Sequence, residues 1–289
     1  MLQYFDDLPY TVVAVGAGSG IGKAAAELMG AMGASVGCLD QDAETAEDTA
    51  RAIEAAGGKA CSYTMNVTDP ASTARALNHV EDILGAISGL VNCAGITGKT
   101  AQKGAKVELD DFDQVHNINV RGALIVSQAV LPGMRARRSG HIVNVTSMGG
   151  FITMPGISFY CGSKFALEGI SEALGKEVAA LGIHVTALAP GQFRTDWAGR
   201  SMQRTPRAIA DYDAVMDPLR AARKEKSGNQ PNDPAKAAAA LLKLVASDNP
   251  PARLLLGEDA LALVEQKLDA VREEIAAWED VTRSTGYAG

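Results

Sequence analysis

The sequence predicts an α/β fold: a doubly wound parallel sheet of about seven strands, helices on both faces, and a helical extension at the C-terminus. Three observations predict it. Short β-branched or aliphatic runs alternate with longer Ala-, Leu- and Glu-rich stretches along most of the chain, the pattern of right-handed βαβ crossovers and a sheet covered on both sides. A glycine-rich turn stands directly between the first run and the first helical stretch. The 289 residues, 47% hydrophobic and 21% charged, suffice for a large core and have the balance of an ordinary globule.

Residues 11–15 (TVVAV) form the first strand, followed at once by GAGSGIG; residues 21–32, rich in Ala, Glu, Leu and Met, form the first helix. Residues 35–39 are again strand-like. Residues 42–56 read as a helix that opens on acidic residues and closes at Gly57-Gly58. A strand over 61–64 precedes a helix over 69–84, capped by Thr68 or Asp69. Leu90-Val91 begins a fourth strand that ends at NCAG, and a polar loop runs on through Lys106. A long helical pattern covers 110–138, with a fifth strand over 142–145. A helix over 158–181 and a strand over 185–188, stopped by Pro190-Gly191, come next. An Ala-rich helix over 234–246 starts on Pro, and residues 254–256 supply the last strand. No internal repeat or low-complexity linker divides the chain, so residues 1–289 are expected to form one domain.

Several functions lose support at this level. The formal net charge of -7 gives no electrostatic footing for nucleic acid. Cys38, Cys61, Cys93 and Cys161 match no zinc or redox spacing, and the four histidines are scattered, so no metal site is expected. No apolar run is long enough for a bilayer. The start, with Asp6 and Asp7, lacks the basic and apolar regions of a signal peptide. A reducing cytoplasm is the simplest compartment.

The turn after the first strand places Gly16, Gly20 and Gly22 in a GxxxGxG spacing, with Ile21 where the GxGxxG pattern would have its third glycine. Glycines there permit a tight turn and let backbone N–H groups approach a pyrophosphate at a helix N-terminus. Asp40 closes the second strand about twenty residues on, where a carboxylate accepts hydrogen bonds from ribose hydroxyls and repels a 2′-phosphate; it also suits a helix N-cap. Neither neighbour, Leu39 or Gln41, is basic, and Ala17 to Ser19 holds no cation. NAD(H) is therefore expected over NADP(H). Asn119 interrupts a helical pattern, as a tolerated polar residue or as a kink that offers a carbonyl to a water.

The chemistry centres on Ser147 to Lys164, SMGGFITMPGISFYCGSK. Tyr160 and Lys164, at i and i+4, share a helix face. An ammonium beside a phenol is expected to lower the phenol's pKa, and Ser147 adds a hydroxyl donor.

Taken in order, the turn from Gly16 to Gly22, Asp40, NCAG (Asn92 to Gly95), NINVRG with Asn119, Ser147, YCGSK (Tyr160 to Lys164) and PGQFRT (Pro190 to Thr195) resemble the short-chain dehydrogenase/reductase family, main single-domain branch. The resemblance runs from Thr11 to about Leu256 and implies a Rossmann-type fold and an alcohol–ketone oxidoreductase. It implies that Tyr160 is the general acid/base, that Lys164 holds the nicotinamide ribose, that Ser147 polarises the substrate oxygen and that Asn119 anchors a relay water. The cofactor set it implies is Gly16, Gly18, Ser19, Gly20, Ile21, Gly22, Asp40, Asn66, Val67, Asn92, Ala94, Gly95, Tyr160, Lys164, Pro190, Gly191 and Thr195. Val15, Asn66 and Cys93 depart from the residues the family usually has there (Thr, Asp, and Asn or Ala). A homotetramer or homodimer, through the helices after Asp110 and Ser158, is also implied.

Met148, Phe151, Met154, Phe193 and Trp197 are the expected substrate-pocket residues, in and after a lid over about 192–232. Its Met and aromatic content, with Met202, Tyr212 and Met216, suits either a roomy apolar pocket or a sealed lid. Arg194, Arg200, Arg204 and Arg207 face water or a substrate anion. A small-molecule alcohol or ketone of some bulk (steroid-like, aromatic or acyl) is expected; the rival reading is a catalytically silent nucleotide-binding scaffold. In the extension over about 259–284, Leu261, Val264, Leu268, Val271, Ile275 and Trp278 form an a/d stripe. That stripe packs either on the chain's own lid or on a partner subunit. Lid and extension resemble 17β-hydroxysteroid-dehydrogenase-like members of the family.

Overall fold

Strand-forming runs and helices alternate because the central runs are buried on both faces, which leaves the intervening stretches to cover them. A computed structural model describes residues 10–100, 108–195, 202–204, 209–226 and 228–287. The strands are β1 Thr11–Val15, β2 Ser35–Asp40, β3 Lys59–Thr64, β4 Ile87–Asn92, β5 Gly98–Thr100, β6 Gly140–Val145, β7 Ile183–Pro190, β8 Met202–Arg204 and β9 Arg253–Leu256. The helices are α1 Gly20–Ala31, α2 Ala43–Ala55, α3 Pro70–Leu84, α4 Leu109–His116, α5 Ala123–Arg137, α6 Ser158–Val178, α7 Asp213–Lys226, α8 Pro234–Val245, α9 Glu258–Ala277 and α10 Glu279–Arg283.

Seven strands form one parallel sheet in the order β3-β2-β1-β4-β6-β7-β9. The pleat divides β1: Val12 and Ala14 enter a core with Ala25, Met29 and Leu241, on the side of α1 and α8. Val13 and Val15 enter the opposite core with Leu77, Val130 and Met134, on the side of α3 and α5. The seven-stranded sheet is the one the sequence predicts. Short polar side chains cap the helices around it: Asp42 accepts from Thr45 N at 3.3 Å, Asp69 from Ala71 N at 2.9 Å, and Asp233 from Ala235 N at 2.9 Å.

Three features differ from the sequence reading. The polar loop after β4 contains β5, which pairs in parallel with β8 of the lid. The long helix over 110–138 is interrupted by a π-helical turn, Asn117–Gly122, centred on Asn119. The C-terminal helix buries only Ala260 and Val264, against Met148, Phe151, Ile152, Met154 and Leu255. Its apolar contacts among the described residues are with the segment after β6 and with β9; of the rest of its apolar stripe, Val271 is half-covered and Leu261, Leu268, Ile275 and Trp278 are exposed.

Candidate functional site

The sheet order reverses between β1 and β4, and ligands of such sheets sit in the crevice beyond the strand carboxyl ends at that point. A cavity of about 1170 Å³ lies there, bordered by the residues that leave β1, β4, β6 and β7.

Gly16, Ser19, Gly20, Ile21 and Gly22 border one end of it. Gly16 has φ +79°, and a Cβ there would stand 2.9 Å from Ala94 N, so no side chain fits between the two loops. Ser19 opens α1 from extended backbone, its side chain makes no capping hydrogen bond, and no acidic residue occupies the first turn. The helix N-terminus is thus suited to an anion such as pyrophosphate. Gly18 does not border the cavity; its N–H donates to Asp40 Oδ2 at 2.9 Å, and a Cβ there would meet Thr45 Oγ1. The N-cap of α2 is Asp42, so Asp40 is free of that duty. Asp40 borders the cavity beside Gln41, Asp42 and Thr45, a rim without cations. Asn66, Val67, Ala94 and Gly95 also border it. These residues fit a nicotinamide dinucleotide: a glycine cradle at a helix N-terminus, then a carboxylate at the end of the next strand on the same cavity.

Asn92 stands elsewhere. It is buried beneath the cavity, and its Nδ2 donates to Asn144 Oδ1 at 2.9 Å, while Asn144 Nδ2 donates to Ser171 Oγ at 2.9 Å. Its side chain belongs to a polar ladder that ties β4 to β6 and α6.

Ser147, Tyr160 and Lys164 border the cavity together with Pro190, Gly191 and Thr195. The Ser147 hydroxyl hydrogen-bonds the Tyr160 phenol. Lys164 Nζ donates to Val145 O at 2.9 Å and lies 5.8 Å from the centroid of the Tyr160 ring. Electrostatics here run against the simple expectation of a lowered phenol pKa. Burial pushes Tyr160 up to about 12, with the Ser147 hydrogen bond opposing it. Burial likewise pulls Lys164 down to about 8, against Cys93 and Glu168, which favour its charge. In the chain alone desolvation outweighs the pair's attraction.

Asn119 is fully buried and does not border the cavity. Its Oδ1 accepts from Ile96 N at 2.8 Å, and its Nδ2 donates to Ile96 O at 2.8 Å and Ser163 Oγ at 2.9 Å. The side chain therefore pins the loop after β4 to α6, below Tyr160.

Met148, Met154 and Phe193 border the cavity, joined by Pro155 and Ile157 and by Leu219, Ala222 and Arg223 of α7. Phe151 does not: it packs on Ala260 and Val264, because the turn after β6 sends it toward the C-terminal helix. Trp197, Arg200 and Arg207 lie outside the described residues, as do the side chains of Met202 and Arg204. Arg194 Nη2 donates to Gln230 O at 3.3 Å, and Met216 is buried on α7. The sequence reading overlooked Ile157 and the cavity-facing residues of α7. A pattern of Leu219, Ala222 and Arg223 at helical spacing is the one signal that pointed there.

A profile of the family described as short chain dehydrogenase matches residues 10–205. The chain belongs to the short-chain dehydrogenase family. This member is an oxidoreductase of alcohols and ketones that takes a nicotinamide cofactor and a small-molecule substrate. It is 35% identical over 218 residues to oxidoreductase BOA17 of Botryotinia fuckeliana, covering 75% of this chain and 78% of that protein. It is 33% identical over 254 residues to a 3-ketodihydrosphingosine reductase of Bacteroides thetaiotaomicron, covering 86% and 88%. The crystal structure of a short-chain dehydrogenase from Streptomyces avermitilis superposes with a TM-score of 0.85 at 33% identity, covering 97% of this chain and all of that one. No described helix is long and apolar enough to cross a membrane.

Proposed function

We propose that this short-chain dehydrogenase uses NAD(H) to interconvert a secondary alcohol and a ketone on a fairly bulky apolar substrate, and that residues 1–289 act as one domain. The observation that carries the reading is that Ser147, Tyr160 and Lys164 open on the same cavity as the glycine turn and Asp40.

A nicotinamide bound there supplies the hydride donor or acceptor. Tyr160 Oη gives a proton to the ketone oxygen, or takes one from the alcohol. Ser147 Oγ, already bonded to that phenol, donates to the same substrate oxygen as charge grows on it. Lys164, held on Val145 O, presents its remaining protons to the ribose hydroxyls and keeps positive charge near the phenol. Asn119 fixes the loop at Ile96 and the start of α6, and the main chain of its π turn is the proposed anchor of a relay water. Asp40 accepts from the ribose hydroxyls and, with no cation at Gln41 or Asp42, disfavours a 2′-phosphate. Met148, Met154, Phe193 and Ile157 form an apolar wall, and a relative named as a ketodihydrosphingosine reductase fits a bulky ketone. The four free cysteines suit a reducing cytoplasm. Exposed Leu109, Phe112 and Phe165 on α4 and α6 suit a homodimer or homotetramer.

The test is a panel of apolar ketones and alcohols with NAD(H), followed by nicotinamide absorbance, on the wild type and Tyr160→Phe. The variant is expected to lose about 10²–10⁴-fold in turnover while binding NADH as the wild type does. An equally active Phe variant removes Tyr160 from its role. A wild type that binds NADH and turns over nothing leaves a silent nucleotide-binding scaffold.

A further inference from the structure

We propose that Asp259 is a positioning residue for the cofactor pocket: from the first turn of α9 its carboxylate joins the two roots of the lid and fixes the loop that leaves β7. This rests on the reading of the cavity as a nicotinamide site.

Pro190, Gly191, Gln192, Phe193 and Thr195 border the cavity, so the position of this loop shapes it. Gln192 enters the lid and Asn232 leaves it. Asp259 Oδ2 accepts from Gln192 N at 2.8 Å, and Oδ1 accepts from Asn232 Nδ2 at 2.7 Å. Asn232 completes the triangle, donating from Nδ2 to Gln192 O at 2.9 Å and from its backbone N to the same oxygen at 3.2 Å. Gly191 N donates to Leu256 O at 2.8 Å, and Arg194 N to Asn232 O at 2.9 Å. Each carboxylate oxygen thus holds one root of the lid.

The backbone around the carboxylate is cleared to admit it. A Cβ on Gly191 would stand 2.3 Å from Asp259 Oδ1, and one on Gly257 would stand 2.6 Å from the same atom. Gly257 also has φ +100°, a conformation that side chains resist. A carboxylate in the first turn of a helix is further favoured by the helix dipole. Asp259 itself does not border the cavity; it acts through residues 191–195.

Both oxygens of Asp259 accept, so an isosteric amide cannot replace it. In Asp259→Asn the new NH₂ faces either the Gln192 N–H or the Asn232 NH₂. If Asn232 turns its amide to accept, its oxygen faces Gln192 O instead. A residue that only stabilised the fold would lower the melting temperature and the active fraction, with affinity for the cofactor unchanged. A positioning residue moves cofactor affinity in correctly folded protein.

The experiment uses the full chain as wild type, Asp259→Asn, Asn232→Ala and the double variant. NADH affinity is read by its fluorescence, KM for NADH and kcat by turnover of a ketone, and folding by circular dichroism. The expected result is a rise of about tenfold in both NADH Kd and KM for each single variant, the loss of roughly one hydrogen-bonded arm. The double variant should be no worse than the weaker single, and kcat should change less than KM. NADH constants within twofold of wild type in folded Asp259→Asn and Asn232→Ala overturn the proposal. If Asp259→Asn does not fold, Asn232→Ala, which removes the two Nδ2 bonds and leaves that of Asp259 to Gln192 N, decides by the same constants. Because Kd is read without turnover, a protein that binds NADH but reduces no ketone still decides the role of Asp259; a wild type that binds no nicotinamide nucleotide overturns both readings.

Discussion

Burial acts in opposite directions on the two titratable groups of the site, raising Tyr160 to about 12 and lowering Lys164 to about 8. The Lys164 shift has a sign in stability. Below the folded value both states hold the proton, and the folded state bears the cost of burying charge. Between about 8 and the ordinary 10.5 only the unfolded chain stays protonated, so stability rises with pH. Between about pH 7.5 and about pH 9.5 this amounts to roughly 2 kcal/mol. The thiols of Cys38, Cys61, Cys93 and Cys161, all raised by burial, act oppositely in this window, so the rise is to be read as the change with pH of the difference in urea stability between the wild type and Lys164→Met. At the other end of the cavity, Asp40→Ala combined with Gln41→Arg should move the kcat/KM ratio toward NADPH by at least about tenfold; an unchanged ratio would remove Asp40 from cofactor choice. The pair Tyr160–Lys164 was legible because i, i+4 spacing on a helix is local. Glu168, one turn below Lys164 and bonded to Thr146 at 2.5 Å, was not, because that contact needs β6 and α6 to be packed first.

At the scale of elements, β1, α1, β2 and α2 were placed within a residue or two from periodicity and capping residues alone. The short strands β5 and β8 were missed, since three residues carry no usable period. β7, Ile183–Pro190, runs two residues past the expected 185–188 at each end, because exposed His184 and terminal Pro190 blur its apolar pattern. The Asn119 kink was visible as a residue type; its form as a π turn was not. The buried ladder Asn92–Asn144–Ser171 also escaped, because a polar residue in a strand end reads equally well as a ligand contact. That ladder yields a prediction. Asn144→Leu leaves Asn92 Nδ2 and Ser171 Oγ without this partner in the core, and should cost about 1–3 kcal/mol in chemical denaturation while leaving NADH affinity within about twofold.

For the whole molecule, parallel topology followed from the alternation of elements, and its handedness from the twist of strands. How copies assemble left little local trace. α4 and α6 expose Phe112 and Phe165, the latter 43% accessible, and Phe112 stacks edge-on against Phe159 at 5.2 Å. Exposed large apolar groups of this kind are the basis of the proposed contact between copies. Phe165→Glu should therefore convert a dimer or tetramer to smaller species in sedimentation, whereas a wild type that sediments as a monomer would remove that surface from consideration. The C-terminal helix sets a different limit. Past Val264 its side chains are exposed but for half-covered Val271, and a helix held by its own hydrogen bonds is marginal in water at that length. Its peptide protons should therefore trade with solvent nearly as fast as in a free peptide, while those of the turn around Asp259 trade only when the sheet opens. The helix past Val264 thus acts as a built-in gauge: any slowing of that exchange measures, in free energy, whatever comes to lean on it.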